Sequence, residues 1–238
     1  MAAPDKTPAR ISGMFDSIAP RYDLLNRVLS AGLDQKWRRR AVEELHLGAS
    51  GRVLDLCTGT ADLALAAVER HPDASVVGVD FSGAMLGVGL GKVRKAALDR
   101  RIRLVRGDAT RIPLADGSCQ GATIGFGIRN VAEPEGALAE LARVLAPGAR
   151  LAILEFGQPK IPGIKTLYAW YFKYVLPAIG RRVSKHQSAY SYLPASVGTF
   201  PPPAEFAGTI ERHGFVTVEA VPLSLGIVYL YTATKPGE

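Results

Sequence analysis

Val53-Leu54-Asp55-Leu56-Cys57, followed by Thr58-Gly59-Thr60-Ala61-Asp62, is the stretch whose reading decides the fold. The apolar run is too short for a helix. It breaks into a turn of small residues, and the turn opens into a helical pattern from Asp62 to Arg70. Ser75-Val76-Val77-Gly78-Val79-Asp80 repeats the strand, and a helix running to about Asp99 repeats the helix. Ile102-Arg103-Leu104-Val105 is a third strand and Gly121 to Phe126 a fourth. A helix follows from Glu135 to Leu145, and Pro147-Gly148 turns the chain into a fifth strand, Arg150 to Glu155. Strands alternating with helices of this length are parallel βαβ units, so the expected fold is α/β, a doubly wound, mostly parallel sheet.

After Gly157 the alternation stops. Residues 158–200 read as an insertion holding an aromatic helix and Tyr190-Ser191-Tyr192. Pro201-Pro202-Pro203 leads into a helix from Ala204 to His213, and Phe215–Val221 and Ile227–Thr234 are strands joined by a short loop, the last one antiparallel. Ahead of the first strand, Ile11 to Leu45 reads as helices broken at Pro20, with Trp37, Ala41 and Leu45 at helical spacing. The expected organisation is one seven-stranded domain over 1–238, with a helical cap over 10–48 and a helical lid over 158–200.

A chain of 238 residues that is 47% hydrophobic and 21% charged can bury a core, which argues against disorder. Its formal charge of +7 favours anionic partners, namely nucleic acid, phosphorylated ligands or an anionic membrane. Cys57 and Cys119 sit in strand-like stretches, away from metal-ligand spacing, and read as core residues of a protein in a reducing cytoplasm. The polar Met1–Pro8 is not a signal peptide. The run from Leu167 to Gly180 carries Lys173 and Pro177 and falls short of a membrane span. These features predict a cytoplasmic protein able to touch the inner face of a membrane.

Ligands of an open parallel sheet bind at the carboxyl ends of its strands, where the strand order reverses. Three segments are expected to meet there. In Asp55 to Asp62, Gly59 lets a ligand approach the backbone, and Thr60 stands where a helix N-terminus can bind a carboxylate, or simply caps the helix. Asp55 is counted with this cofactor segment. Asp80 ends the second strand, where its carboxylate can accept the hydroxyls of a ribose or cap the next helix. In Gly107-Asp108-Ala109 an Asp side chain and a backbone N–H can read an adenine edge. Carboxylate, ribose and adenine together describe S-adenosylmethionine. A nicotinamide dehydrogenase needs G-x-G-x-x-G for its pyrophosphate, and the turn at 57–62 has one Gly.

Met14-Phe15-Asp16-Ser17-Ile18-Ala19-Pro20-Arg21-Tyr22-Asp23-Leu24-Leu25-Asn26, Phe126-Gly127-Ile128-Arg129-Asn130-Val131 and Leu154-Glu155-Phe156 carry a more specific likeness. From about Met14 to Lys235 the chain resembles the quinone-biosynthesis C-methyltransferase family, which methylates demethylmenaquinol and 2-polyprenyl-6-methoxy-benzoquinol. The resemblance implies cofactor contacts at Thr60, Asp80, Asp108 and Ala109. It implies another at Gly125, where the family has Ser, so that a backbone contact can survive and a side-chain contact cannot. Near the carboxyl end Leu230-Tyr231 and Ala233-Thr234-Lys235 stand where the family often has Leu-His and Gly-Tyr-Lys.

The expected substrate is a prenylated quinol, naphthoquinol ahead of benzoquinol. Arg129 is expected to stabilise the developing oxyanion, Asn130 to orient the hydroxyl, and Tyr22 or Asp23 to close the pocket. No general base is evident: His186 is a minor candidate, and His46, His71 and His213 look structural. No His/Cys/carboxylate cluster suggests a metal. Leu167, Trp170, Tyr171, Tyr174 and Val175 fall on one helical face edged by Lys165, Lys173, Arg181, Arg182 and Lys185, suited to a prenyl tail, a membrane interface or core packing. A nucleic-acid methyltransferase would explain the charge, yet Phe126-Gly127-Ile128-Arg129 does not resemble an Asn-Pro-Pro-Tyr loop. A non-catalytic subunit of a quinone-making assembly is the other alternative.

Overall fold

The computed structural model describes residues 5–48, 50–159, 161–170, 174 and 187–237. Its sheet runs β3-β2-β1-β4-β5-β7-β6, with β1 Arg52–Leu56, β2 Ser75–Asp80, β3 Ile102–Arg106, β4 Cys119–Gly125, β5 Leu145–Phe156, β6 Val216–Leu223 and β7 Val228–Thr234. β1 pairs in parallel with β2 on one side and β4 on the other. The chain winds outward from β1 to β3, then returns to start again at β4. The loops after β1 and β4 therefore leave in opposite directions and open a crevice at their carboxyl ends.

Strand alternation builds a core on each face. Leu54 and Leu56 of β1 join one cluster, with Leu138, Leu141 and Val144 of α6 (Pro134–Val144) and Phe206 and Ile210 of the helix Pro203–Arg212. Val53 joins the other, with Ala64, Ala67 and Val68 of α4 (Asp62–Arg70) and Trp37, Ala41 and Val42 of α3 (Leu33–Glu43). Leu138 and Leu141 are fully buried; truncating such a side chain to Ala costs about 2–5 kcal/mol.

Three details depart from the sequence reading. α5 (Gly83–Lys95) ends short of Asp99 because Ala97 turns left-handed at φ 55°. There Leu98 N–H donates to Val93 O and Ala97 N–H to Arg94 O, the closure of a Schellman cap. β5 begins at Leu145, ahead of Pro147-Gly148: Leu145 pairs with Cys119 across a register shift, and Gly148 N–H donates to Lys235 O. Pairing with a neighbour carries the strand through what sequence alone reads as a turn. Finally, β7 has the antiparallel direction expected of the last strand, but it lies between β5 and β6 and pairs with both, a position the sequence reading did not contain.

The amino-terminal helices are α1 (Pro8–Ile18), a 3-10 turn over Ala19–Arg21 around Pro20, α2 (Tyr22–Leu29) and α3. Of the inserted segment, the helices Pro162–Trp170 and Gln187–Thr199 are described. His186, Tyr171, Val175, Lys173, Arg181, Arg182 and Lys185 lie outside the described residues; Trp170 and Tyr174 are exposed. No helix among the described residues is long and apolar enough to cross a membrane.

Candidate active site

The crevice forms a cavity of about 210 Å³. Its floor is shaped by backbone that only close packing holds. Cys57, Gly59 and Ala61 all have left-handed φ, at 57°, 54° and 64°, and Phe126 at the end of β4 has φ 59°. Such conformations cost non-glycine residues of order 1–3 kcal/mol each and persist where the surroundings over-determine them. Here the constraints are visible. Thr58 N–H donates to Val79 O at 3.1 Å, Gly59 N–H to Asp80 Oδ2 at 2.8 Å, and Thr58 Oγ1 to Asp55 Oδ2 at 2.5 Å. Gly127 packs so tightly on this loop that a Cβ there would fall 2.3 Å from Cys57 Cβ.

Asp80, Asp108, Ala109, Gly59, Gly125, Asn130 and Tyr22 line the cavity. Both oxygens of Asp80 are oriented by backbone donors, Oδ1 by Ser82 N–H and Oδ2 by Gly59 N–H, each at 2.8 Å. Burial nevertheless raises its pKa. Asp108 Oδ1 accepts from Thr110 N–H and Oγ1, both at 2.9 Å, which fixes the carboxylate as an Asx turn. Asn130 donates through Nδ2 to Phe126 O at 3.3 Å, while its Oδ1 is buried without a partner. Burial raises the pKa of the Tyr22 phenol, and a side-chain hydrogen bond with Asn26 opposes that rise.

Four residues picked from sequence stand behind the walls. Asp55 is buried and accepts from Thr58 Oγ1 and from Thr123 Oγ1 at 2.9 Å. Burial pushes its carboxyl up to about 6, and its hydrogen bond from Thr58 places it beneath the loop that follows β1. Thr60, expected at a ligand carboxylate, turns its buried hydroxyl to Asp23 Oδ1 at 2.5 Å. Asp23, expected to close the pocket, also receives Lys92 Nζ at 2.9 Å, and Lys92 pairs with Asp62. The group ties α2 to α4 and α5 because polar side chains excluded from water must satisfy one another. Arg129, expected at an oxyanion, is buried in an ion pair with Glu155 Oε1 at 2.6 Å. It also donates to Phe126 O and lies 5.2 Å from the Phe156 ring centroid. These contacts tie the 3-10 turn Ile128–Asn130, which carries Asn130, to β5.

A helical cap over 10–48 was expected, but not the residues by which it lines the cavity. Lys6, Pro8, Ile11, Ser12 and Phe15 line the cavity from the start of α1. Asp16 holds that helix down by accepting from Ser82 Oγ at 2.5 Å and from Ala84 N–H at 3.2 Å, at the N-terminus of α5. The i, i+4 pair Ile11 and Phe15 is the signal in the sequence, but it does not say what the apolar face covers. Cys57, read as a core residue, is half-buried on the cavity wall, and burial pushes its thiol well up. Cys119 is buried. His71 and His213 bond the carbonyls of Val42 and Thr209.

The model of the ubiE/COQ5 methyltransferase family matches residues 4–235. The ubiquinone/menaquinone biosynthesis C-methyltransferase UbiE of Syntrophotalea carbinolica is 48% identical over 227 residues, 94% of each chain. The demethylmenaquinone methyltransferase of Thermus thermophilus is 45% identical, over 94% of this chain and all of its own. Among solved structures, a SAM dependent methyltransferase from Aquifex aeolicus superposes with a TM-score of 0.62 at 18% identity, covering 96% of this chain and 98% of its own. At that identity the likeness shows the fold.

Proposed function

The chain belongs to the ubiE/COQ5 methyltransferase family, S-adenosylmethionine-dependent C-methyltransferases of ubiquinone and menaquinone biosynthesis, and from that premise we propose that its acceptor is demethylmenaquinol, methylated to menaquinol. The relatives' names divide: the UbiE relatives, up to 48% identical, are named for both quinones, and those of Thermus thermophilus and Bacteroides fragilis, at 45% and 40% identity, for demethylmenaquinone alone, which is the support for this acceptor.

The observation that carries the chemistry is the Asp80 carboxylate, held by two backbone N–H groups on the wall of a largely apolar cavity at the switch point. The residues present fit the cofactor. Asp80 would accept the ribose hydroxyls, Asp108 and Ala109 N–H would read the adenine, and Gly59 and the backbone at Gly125 would flank the chain between them. Thr60 would act through its backbone, its hydroxyl being engaged by Asp23. When bound, the cofactor supplies a methyl group on a sulfonium cation. Asp80, Asp108 and Glu133 give the lining a negative side suited to that cation.

The acceptor ring would lie near Asn130, whose unpartnered Oδ1 can accept a hydroxyl proton and so orient the ring. Tyr22 and Phe15, ring centroids 6.1 Å apart and edge to face, would exclude water above it. Arg129 positions Asn130 and leaves oxyanion stabilisation to others. Residues 10–48 would serve as the cap and 158–200 as the cover of the prenyl tail, with exposed Trp170 and Tyr174 meeting a membrane surface. The deciding assay follows labelled methyl from cofactor into demethylmenaquinol and into 2-polyprenyl-6-methoxy-benzoquinol. Faster transfer to the naphthoquinol is expected. Faster transfer to the benzoquinol overturns the choice of acceptor, and no transfer to either, with cofactor bound, overturns the quinol reading.

A further inference from the structure

Every residue so far assigned to the acceptor end of the cavity is neutral or engaged elsewhere. Arg129 is off the wall, its charge balanced by Glu155. Among the described lining residues Lys6 is the one Lys or Arg, and no hydrogen bond or ion pair joins it to another described residue. Its position is built rather than trailing. Asp5 accepts from Thr7 N–H at 2.9 Å and from Arg10, Pro8 begins α1, and Asp16 fastens the helix to α5. Lys6 is half-buried and lines the cavity.

Lys6 lines the same cavity as Asn130 and Tyr22, the residues given to the acceptor, and two buried charges act on it. They are Arg129 from the 3-10 turn and Glu155 from β5. Tyr22 of α2 feels the same Arg129, and Tyr192 of the helix Gln187–Thr199 feels both charges. The other titratable lining groups are Cys57, Asp80 and Asp108 at the cofactor side, and Glu133. Burial first, and repulsion from Arg129 second, hold the Lys6 ammonium below the ordinary lysine range, the direction that makes a lysine useful as a base near neutrality.

We infer that Lys6 is the catalytic base of the acceptor site: its amine takes the proton of the ring hydroxyl beside the carbon that is methylated. The O–H bond breaks, its electron pair stays on oxygen, and a new N–H bond forms on Nζ. The ammonium so made remains as counter-ion to the phenolate, whose charge activates the adjacent carbon. No electron is transferred. The ring carbon that gains the methyl then loses its hydrogen as a proton, which restores the hydroxyl on the ring oxygen, so the one proton released overall is the one held on Lys6, which returns it to water. The inference rests on the quinol reading above.

The test uses the full chain with Lys6→Met and Lys6→Arg. Without cofactor, the protein is titrated with 1-naphthol and naphtholate absorbance is followed across pH. Wild type and Lys6→Arg, both cationic, should ionise the bound naphthol at lower pH than Lys6→Met. With cofactor and quinol, both variants should lose ~100-fold or more in kcat near neutrality, the usual contribution of a general base. Their rates should climb with pH while wild type levels off, and cofactor binding heat should be unchanged in both. A wild-type rate and pH profile in Lys6→Met, or naphthol ionisation equal in wild type and Lys6→Met, overturns the inference. A wild-type profile in Lys6→Arg removes the proton-taking step. Wild type that binds cofactor but methylates neither quinol sinks the acceptor reading instead, while the naphthol titration still judges Lys6.

Discussion

The tightest contact in the site makes a quantitative prediction. A Cβ on Gly127 would lie 2.3 Å from Cys57 Cβ and 3.0 Å from its Sγ, whereas carbon atoms pack at about 3.5–4.0 Å. Gly127→Ala must therefore drive the two loops apart by more than an ångström. Overpacking of this kind costs about 1–3 kcal/mol, or roughly 2–4 °C in Tm per kcal/mol for a chain of this size. The loop that yields is the one whose Gly59 N–H orients Asp80, so cofactor affinity should fall along with stability, by about tenfold for each 1.4 kcal/mol. Cys57→Gly removes the obstructing atoms and also suits the left-handed φ of 57° at that position. The double variant should recover most of what Gly127→Ala loses. Urea unfolding gives the stability cycle and calorimetry gives the affinity cycle, and a coupling of about 1–3 kcal/mol is expected where neighbours share a contact. If the two substitutions add within about 0.5 kcal/mol, as independent sites do, the contact does not hold the loops and the argument fails.

Asp80→Asn places an amide N–H₂ against one of two backbone donors and removes a ribose acceptor; about 1–3 kcal/mol, or roughly 10–100-fold in cofactor affinity, should be lost with the fold intact by circular dichroism. Asp55 has a folded pKa of about 6, above its unfolded value, so the folded state holds the extra proton between about pH 4 and 6 and stability falls as pH rises through that window. Asp80 contributes in the same direction. The drop from Asp55 is at most about 3 kcal/mol, and Asp55→Asn should flatten it in urea unfolding measured from pH 4 to 7; an unchanged slope would show that other groups set it. Glu155→Gln strands the buried Arg129 charge and should cost about 3–5 kcal/mol in the same assay, whereas an exposed pair would cost under about 1 kcal/mol.

Local pattern carried most of the fold. α4 and β2 occupy the residues read from sequence, because a small-residue turn after an apolar strand, and alternation of strand and helix, are properties of neighbouring residues. The residues that face the cavity were legible where they end a strand. Asp80 and Asp108 are placed by chain direction alone, since every parallel strand delivers its carboxyl end to the same edge of the sheet. Side-chain direction in the turns was not legible. Thr60, Asp55 and Arg129 stand within a few residues of the wall yet look away from it, each captured by a partner distant in sequence: Asp23, Thr123 and Glu155.

What the sequence determined by itself, then, is the α/β class, the crevice edge and the carboxylates along it, all of which follow from period and spacing. Tertiary structure alone decided which polar groups are spent on one another and which are left for a ligand. It also decided that α1 and the preceding Lys6 roof the cavity and that β7 slips between β5 and β6. The reason is common to all three. Desolvation forces buried polar atoms and apolar faces to find partners wherever the folded chain brings them, and distance along the chain does not predict that meeting.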